Sequence, residues 1–278
     1  MYYSAKKFDL KKVLTHLLFI GYSMTVIYPL LLVLFNSFKS TQEIFSSPYG
    51  LPTSLKLDNY INAWETANFA GYFKNSLFVT LVSIVLILFL SSMASYVLAR
   101  FKFKGNILIY FFFLLGLMLP IRLAIIPLFI LLRDLGLLDS YTGLILVYVA
   151  SGIPFSIFIL YTFFQSIPEE LSEAARVEGA SSFKIYYMIM LPLVRPALAT
   201  VAIFNFISLW NDFFFPFILL RDPEKYTLPV GLSKFFGEYS TDWASLFAGL
   251  SLSIIPVVIV FFILSKQFVE GLTAGAVK

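Results

Sequence analysis

The sequence has no cysteine and a single histidine, His16. Disulfide bridges, thiolate catalysis and cysteine-based metal sites are therefore excluded. A metal site needs several ligands and a general-base histidine needs a partner, whereas His16 stands among Leu, Thr and Phe at the edge of an apolar run. We interpret His16 as a structural or interfacial residue, and we expect no metal, no catalytic residue and no cofactor on this chain.

Charged residues are also scarce. Only 13% of the 278 residues are Asp, Glu, Lys or Arg and 59% are hydrophobic, against about a quarter charged and about half apolar in a typical globular domain. This composition indicates a membrane protein. The net charge of +4 does not indicate a nucleic-acid partner, because the basic residues stand at the ends of apolar runs and form no continuous stripe.

Nucleotide-binding and hydrolase motifs are absent from the sequence. Without a G-x-x-x-x-G-K-[ST] phosphate loop, the chain is not expected to hydrolyse ATP by that route. The absence of H-E-x-x-H and G-x-S-x-G argues against an intramembrane hydrolase. Any energy-driven process must therefore draw on a partner protein or on an ion gradient.

Long apolar runs predict membrane-spanning helices, because about 20 apolar residues cross the hydrocarbon core. Four runs contain no charged residue, namely 13–38, 75–99, 140–168 and 243–265. Two more contain one charge each, Arg122 within 105–132 and Asp212 within 196–220. The sequence therefore predicts an all-α integral membrane protein of one domain with six transmembrane helices.

The basic residues set the expected orientation of these spans. With the N-terminus in the cytoplasm, 12 of the 20 Lys and Arg residues lie on the cytoplasmic side. The segment RFKFK, residues 100–104, is the strongest single marker. We therefore expect both termini in the cytoplasm, and we expect the polar segment at residues 173–192 to face the cytoplasm as well.

That polar segment, EAARVEGASSFKIYYMIMLP, lies between two apolar runs and is predicted to be helical. Ser166 and Glu169 have the spacing of a capping box, so a first helix is expected to start there. Gly179 is expected to end that helix, because glycine readily adopts the left-handed conformation at a helix C-terminus. A second helix then begins after Ser181 or Ser182 and is expected to end at Pro192.

The turn between the two helices carries small side chains. Ala174, Ala175 and Gly179 leave one side of the turn almost bare, which permits close approach of another backbone. The partner of this surface could be the protein's own spans or a separate cytoplasmic subunit. Small residues pack in both settings, so the residues alone leave the two alternatives open.

The same residues resemble a known signature. Glu173-Ala174-Ala175, three residues, Gly179, nine residues and then Ile189-x-Leu191-Pro192 is similar to the complete EAA motif of ABC importer permeases. LGLLDSYTGLIL, LWNDFFFPFILL and FVEGLTAGAVK resemble the carbohydrate (MalG-like) branch of the inner-membrane components of binding-protein-dependent transport systems. The resemblance extends from about residue 72 to the C-terminus.

This resemblance implies a type I ABC importer permease with six transmembrane helices, in which the EAA loop is a coupling helix seated in a cleft of an ATPase. The residues that it assigns to ATPase coupling are Glu173, Ala174, Ala175, Gly179, Ile189, Leu191 and Pro192. It also implies a second, homologous (MalF-like) permease, two cytoplasmic ABC ATPases that hold ATP and Mg²⁺, and an external binding protein that delivers a mono- or oligosaccharide.

The expected division of the chain follows from the same resemblance. Residues 1–71 form the N-terminal tail, first span and external segment. The permease core extends over residues 72–266 with its EAA loop at 166–192, and residues 267–278 are a cytoplasmic tail in contact with the ATPases. The expected location is the cell membrane of a prokaryote.

Polar residues near the charged interruptions are candidates for the substrate path. A charge at mid-bilayer costs about 3 kcal/mol and normally faces the bundle interior. The candidates are Arg122, Asn205, Trp210, Asn211 and Asp212. Alternatively, Arg122 and Asp212 lie near the external interface, or pair with each other or with a second permease.

Two other function classes compete with an ABC permease. A self-sufficient secondary transporter would couple through an intramembrane carboxylate such as Asp212. A membrane enzyme is the third class, and the absent motifs argue against it.

Overall fold

A computed structural model describes residues 10–66, 68–236 and 241–276, with the backbone alone for residues 10, 66 and 270–276. Within these ranges the regular structure is helical, and the one β-type pairing is an isolated bridge between Phe236 and Thr241. The prediction of an all-α fold is confirmed. The α-helices are α1 Leu10–Asn36, α2 Thr41–Ser46, α3 Asp58–Thr66, α4 Phe69–Arg100, α5 Asn106–Met118, α6 Ile125–Asp134, α7 Tyr141–Ser166, α8 Glu170–Val177, α9 Ser182–Ile185, α10 Leu191–Leu193, α11 Arg195–Trp210, α12 Phe214–Leu219, α13 Leu228–Leu232 and α14 Trp243–Ala276.

Four of the described helices, α1, α4, α7 and α14, are long and apolar enough to cross a membrane. They coincide with the four charge-free runs of the sequence. Two further pairs of helices pass the same test together but are sharply bent, so the described chain has up to six spans if each bent pair counts as one. The total of six therefore stays a prediction.

The predicted third span is not one continuous helix. α5 ends at Met118, a 3₁₀ turn follows over Ile121–Ala124, and the two halves of the run meet at an angle of 83°. Pro120 accounts for the break: proline disfavours the helical conformation for the residue before it, and Leu119 is extended with φ −88° and ψ 118°. The run 105–132 is therefore a sharply bent pair of helices, and its crossing of the membrane as one span stays a prediction.

The predicted fifth span is also broken. α11 ends at Trp210, and α12 begins only after Asp212, whose carboxylate accepts the N–H groups of Phe214 and Phe215 at 3.3 Å each. At its other end, α11 pairs with the helical run Ser182–Leu193, at a bend of 73°. Asp212 therefore marks the start of a new helix within the run 196–220, and the fifth span stays a prediction.

The described residues divide into two compact units. The first comprises residues 10–66, 234–236 and 241–252. In it, the fully buried Lys39 donates from Nζ to Asn36 Oδ1 at 3.0 Å and to the Ser47 carbonyl at 2.8 Å. Asn59 donates to the carbonyls of Ser37 and Lys39, both at 2.8 Å. These bonds satisfy carbonyl groups that follow α1 and α2, as helix C-termini require.

The second unit comprises residues 68–233 and 253–276 and is centred on the packing of α4 against α7. The buried face of α4 carries several small polar residues, among them Ser83 and Ser95. On α7, Gly152 allows close approach, because a β-carbon there would lie 2.5 Å from Ile87 Cδ1 and 2.6 Å from Asn205 Oδ1. Small residues at such a contact let helix backbones pack tightly in a membrane.

A polar cluster joins the α6–α7 loop to the segment after α12. Asp139 adopts a left-handed conformation with φ 53°, and its carboxylate accepts the N–H groups of Arg221 and Asp222 and the Lys225 ammonium at 2.9–3.1 Å. Partial burial opposes ionisation of Asp139, but these donors outweigh it and lower the pKa of the carboxyl. The hydrogen bond to Asp139 in turn raises the pKa of Lys225.

Candidate functional site

The first helix of the polar segment ends as its sequence predicts. α8 covers Glu170–Val177, and Gly179 follows with φ +81°. The Gly179 N–H donates to the Arg176 carbonyl and the Ala180 N–H to the Ala175 carbonyl, both at 2.9 Å. This pair of bonds is a Schellman motif, which satisfies the last carbonyls of a helix and requires a left-handed residue at the Gly179 position.

The start of this helix differs from the prediction. Ser166 is the last residue of α7, and its hydroxyl donates to the Phe163 carbonyl at 2.8 Å instead of capping α8. α8 begins at Glu170 without a side-chain cap. The capping-box interpretation of Ser166 and Glu169 was therefore wrong, because α7 extends far enough to use the serine itself.

The second helical run, Ser182–Leu193, ends one residue beyond the predicted end at Pro192. Ser181 accepts the Lys184 N–H at 3.3 Å, which confirms it as the cap of α9. Pro192 does not end the run, because it lies in the first turn of α10, where a missing N–H costs least. The bend lies instead at Val194, two residues before Pro196. We call residues 170–193 the insert.

One face of the insert is buried in the second unit. Ala175, Ile185, Tyr186 and Met190 are each at most 8% exposed. They pack in one cluster with buried residues of α4, α7 and α11, namely Tyr96, Leu160, Phe164, Ala197 and Val201. The protein's own spans are therefore one partner of the insert.

The other face of the insert is apolar and exposed. Val177 is 90% exposed, Phe183 69%, Tyr187 63% and Met188 61%. Tyr187 and Met188 also line a surface cavity of about 420 Å³ together with Leu191 and Pro192 of the signature. Exposed apolar surface of this kind marks a contact with a protein partner or with the membrane. This face is available to a partner.

The signature residues are divided between the two faces. Ala175 is buried, Ile189, Leu191 and Pro192 are half-buried, and Glu173, Ala174 and Gly179 are exposed. An added β-carbon at Gly179 meets nothing within 4 Å. The bare side of the turn thus faces away from the rest of the second unit.

Four of the five candidate substrate-path residues line one cavity of about 590 Å³. These are Arg122, Asn205, Asn211 and Asp212. The cavity is lined by α7, α11 and α12 and by the 3₁₀ turn between α5 and α6, and its wall combines polar groups with aromatic rings. Apolar walls with a few convergent polar groups are typical of small-molecule sites.

Asp212 is held by three donors. Its carboxylate accepts the Tyr148 hydroxyl at 3.0 Å as well as the N–H groups of Phe214 and Phe215. These donors hold the carboxylate just after the end of α11. Through it, Tyr148 of α7 is connected to the first turn of α12. A buried hydrogen bond to a charged group contributes about 1.5–3 kcal/mol.

Arg122 lies on the same cavity without an ion pair to Asp212 among the described residues. Its guanidinium carbon is 5.4 Å from the centroid of the Phe214 ring, the geometry of a cation–π contact. The side chain is exposed. The direct pairing of Arg122 with Asp212, one of the sequence alternatives, is therefore not what the structure has.

Trp210 lies apart from this cavity. It is only 2% exposed, and its Nε1 donates to the Ser253 carbonyl at 3.0 Å. Conversely, the cavity includes Tyr148, Ser151 and Phe155 of α7, which sequence reasoning missed. A usable signal was present, because their spacing of three and four residues puts polar and aromatic groups on one face of a predicted span.

No group of His, Asp or Glu residues in the described part of the chain could hold a metal ion.

Comparison with known proteins identifies the family. The family described as "Binding-protein-dependent transport system inner membrane component" matches residues 88–273. The diacetylchitobiose uptake system permease protein NgcG of Streptomyces coelicolor is 43% identical over 267 residues, which are 95% of this chain and 88% of that protein. AmyC of Thermoanaerobacterium thermosulfurigenes, a probable starch degradation products transport system permease protein, is 36% identical over 98% of this chain and 99% of its own.

A solved structure has the same fold. A chain of a bacterial ABC transporter involved in the import of the acidic polysaccharide alginate matches with a TM-score of 0.83 at 26% identity, over 96% of this chain and 100% of its own. The resemblance seen in the EAA residues is confirmed. The chain belongs to the family of inner-membrane components of binding-protein-dependent transport systems, a family of transport proteins.

Proposed function

We propose that the chain is the permease subunit of an ATP-driven importer of a mono- or oligosaccharide, and that the insert is its mechanical joint with an ATPase. The two faces of the insert carry this proposal. One face is packed against three helices of the second unit, and the other presents exposed apolar side chains. A segment that must transmit a movement needs both contacts.

The partners follow from this assignment. A second, homologous permease would complete the path, two cytoplasmic ABC ATPases would bind ATP and Mg²⁺ and supply the energy, and an external binding protein would deliver the sugar. The relatives support the sugar class, since they are named for diacetylchitobiose, starch degradation products and arabinooligosaccharides. The insert and both termini lie in the cytoplasm in this proposal, and the coupling residues are those of the signature.

The joint is tested by co-purification. The chain is expressed with its neighbouring permease and ATPases, and the natural sequence is compared with Gly179→Asp. We expect the natural complex to retain the ATPases, and the variant to lose them or to hydrolyse ATP without transport while the permease pair stays assembled. A natural protein that retains no ATPase, and whose vesicles move solute down an ion gradient, would refute the proposal in favour of a secondary transporter.

We further propose that the cavity at Arg122 and Asp212 is part of the sugar path. Its aromatic rings suit the apolar face of a sugar ring, and Arg122, Asn205 and Asn211 offer hydrogen-bonding groups for hydroxyls. Trp210, which is buried in packing, then acts by supporting α11.

The path is tested with Arg122→Gln and Asp212→Asn. The matched controls are Arg133→Gln and Asp134→Asn, an exposed ion pair whose side chains are 59% and 60% exposed. Diacetylchitobiose, a maltodextrin and an arabino-oligosaccharide serve as probes of uptake into vesicles. The first two variants should reduce uptake of the transported sugar with the complex assembled, and the controls should not. Equal uptake in all four variants would contradict the assignment.

A further inference from the structure

The insert is joined to α4 by a buried hydrogen bond. The Tyr186 hydroxyl lies 2.8 Å from Ser92 Oγ, and the two residues are 7% and 2% exposed. Ser92 Oγ also donates to the Phe89 carbonyl at 3.1 Å. A serine hydroxyl has one proton, so Tyr186 is the donor in the bond between helices.

A second tyrosine reinforces this connection from the side of α4. The rings of Tyr96 and Tyr186 have centroids 5.1 Å apart, and the Tyr96 hydroxyl donates to the Ser182 carbonyl at 3.3 Å. Ser182 is the first residue of α9. The buried face of the insert is thus held on α4 by directional bonds as well as by packing.

The backbone of the insert is unusual at this contact. Residues Tyr186–Met190 form a π turn, and the Leu191 N–H reaches back five residues to the Tyr186 carbonyl. π turns inside helices are rare and occur frequently at functional sites. The turn leaves Tyr186 and Met190 buried and Tyr187 and Met188 exposed, so the inner contact and the outer face adjoin each other.

The opposite end of α4 is fixed as well. The Ser76 hydroxyl accepts the Leu228 N–H at 2.7 Å. Asn75 Nδ2 donates to the carbonyls of Glu224 and Tyr226 at 2.8 and 3.0 Å. From Ser76 to Ser92 the helix rises about 24 Å. α4 is therefore a continuous helix bound at one end to the insert and at the other to the segment after α12.

We propose that Tyr186 is a positioning residue of the transport cycle, which through Ser92 makes α4 follow the movement of the insert. The inference rests on the proposed function, since it assumes that ATPases move the insert. Without the bond, the insert would still bind an ATPase through its outer face. The movement would then reach α4 through packing and the longer Tyr96–Ser182 hydrogen bond alone, so hydrolysis and transport would be less tightly linked.

The experiment compares Tyr186→Phe, Ser92→Ala and the double variant in the full complex with its ATPases and binding protein. Phenylalanine keeps the ring and removes only the hydroxyl. Ser91→Ala is the matched control, because the neighbouring Ser91 hydroxyl is buried and has no hydrogen-bond partner among the described residues. The readouts are ATPase co-purification, hydrolysis without sugar, and sugar transported per ATP, with the best transported sugar of the three probes above.

Each single variant should reduce sugar transported per ATP about fivefold, as loss of a coupling of roughly 1 kcal/mol does. The double variant should be no worse than either single one, because the two side chains share one link. Ser91→Ala should match the natural protein. ATPases should co-purify with all variants.

Unchanged transport per ATP in Ser92→Ala would overturn the inference, and this variant decides the case even if Tyr186→Phe assembles poorly. Additive losses in the double variant would overturn it too, because the residues would then act separately. The proposed function has its own test. If Gly179→Asp hydrolyses ATP without transport while Ser92→Ala transports as much sugar per ATP as the natural protein, only the role of Tyr186 fails. Retention and full coupling in Gly179→Asp would instead contradict the proposed joint.

Discussion

Substitution of Gly179 separates two roles that the sequence assigns to it. Its φ of +81° lies in the left-handed region, which costs about 1–2 kcal/mol for most L-residues and less for asparagine. An added β-carbon meets nothing within 4 Å, so the cost within this chain comes from the backbone alone. If the turn conformation is what matters, Gly179→Ala should weaken ATPase retention by about five- to thirtyfold and Gly179→Asn by less.

The opposite order is expected if a bare surface is what matters. Asparagine is larger than alanine, so it should then interfere more with a docked ATPase than alanine does. The assay is titration of purified ATPase against the permease pair in nanodiscs, with thermal unfolding of each variant as a control for assembly. Weaker binding by Gly179→Asn than by Gly179→Ala would refute the conformational argument, and equal binding by all three proteins would refute both roles.

Two further predictions concern stability, measured by thermal unfolding in detergent. Gly152→Ala should lower the melting temperature although alanine has the better helix propensity, because the added β-carbon would press on Ile87 and such crowding costs about 1–3 kcal/mol. Gly21→Ala is the control and should not lower the melting temperature, because a β-carbon at Gly21 meets nothing within 4 Å. Asp139→Asn should destabilise the protein at pH 7 while keeping the left-handed turn. Because folding lowers the pKa of Asp139, the ionised carboxylate stabilises the fold above its ordinary pKa of 3.8, and this stabilisation is lost as the pH falls through the lower folded pKa. The natural protein should therefore lose more stability at acid pH than Asp139→Asn does. Equal losses of stability in the two proteins would contradict the argument. The raised pKa of Lys225 predicts the opposite pH dependence of stability. The charged ammonium stabilises the fold below its ordinary pKa of 10.5, and this stabilisation is lost as the pH rises through the higher folded pKa.

Local backbone chemistry made part of the insert predictable. Gly179 and Ser181 act within four residues of their own positions, through a left-handed turn and a side-chain cap. The charge-free runs were predictable for a similar reason, because burial in lipid imposes length and composition on each span separately. Neither inference needed knowledge of how the helices pack.

The helix boundaries that the sequence did not predict share a physical cause. The effect of a proline or polar residue on a helix depends on the hydrogen bonding and packing around it. Pro120 breaks its run and Pro192 does not, although both follow a leucine in an apolar stretch. The difference lies in the π turn before Pro192, which shifts the hydrogen-bond register and leaves the proline in a first turn. A register shift of this kind depends on packing by distant residues, so the sequence alone does not reveal it.

The cavity was predictable only in part. Charged and amide side chains in apolar runs stand out, so Arg122, Asn205 and Asp212 were candidates from composition alone. Tyr148 is also polar at its tip, but one tyrosine among 16 stands out in the sequence only by its helical spacing to Ser151 and Phe155, and its hydrogen bond to Asp212 at 3.0 Å is seen only in the fold. Trp210 was a candidate that does not line the cavity, because its indole N–H donates to the Ser253 carbonyl in the packed interior.

The short connection between the insert and α11 bears on how movement can reach the cavity. The insert ends at Leu193 and joins α11 by one bend at Val194. α11 then carries Asn205 to the cavity and ends beside Asp212. The chain joins the insert to α7 on one side and to α11 on the other, and the Tyr186–Ser92 hydrogen bond adds a connection to α4. Loss of that bond should loosen the coupling of α4 to the insert without detaching the ATPase, because the outer face of the insert is unchanged.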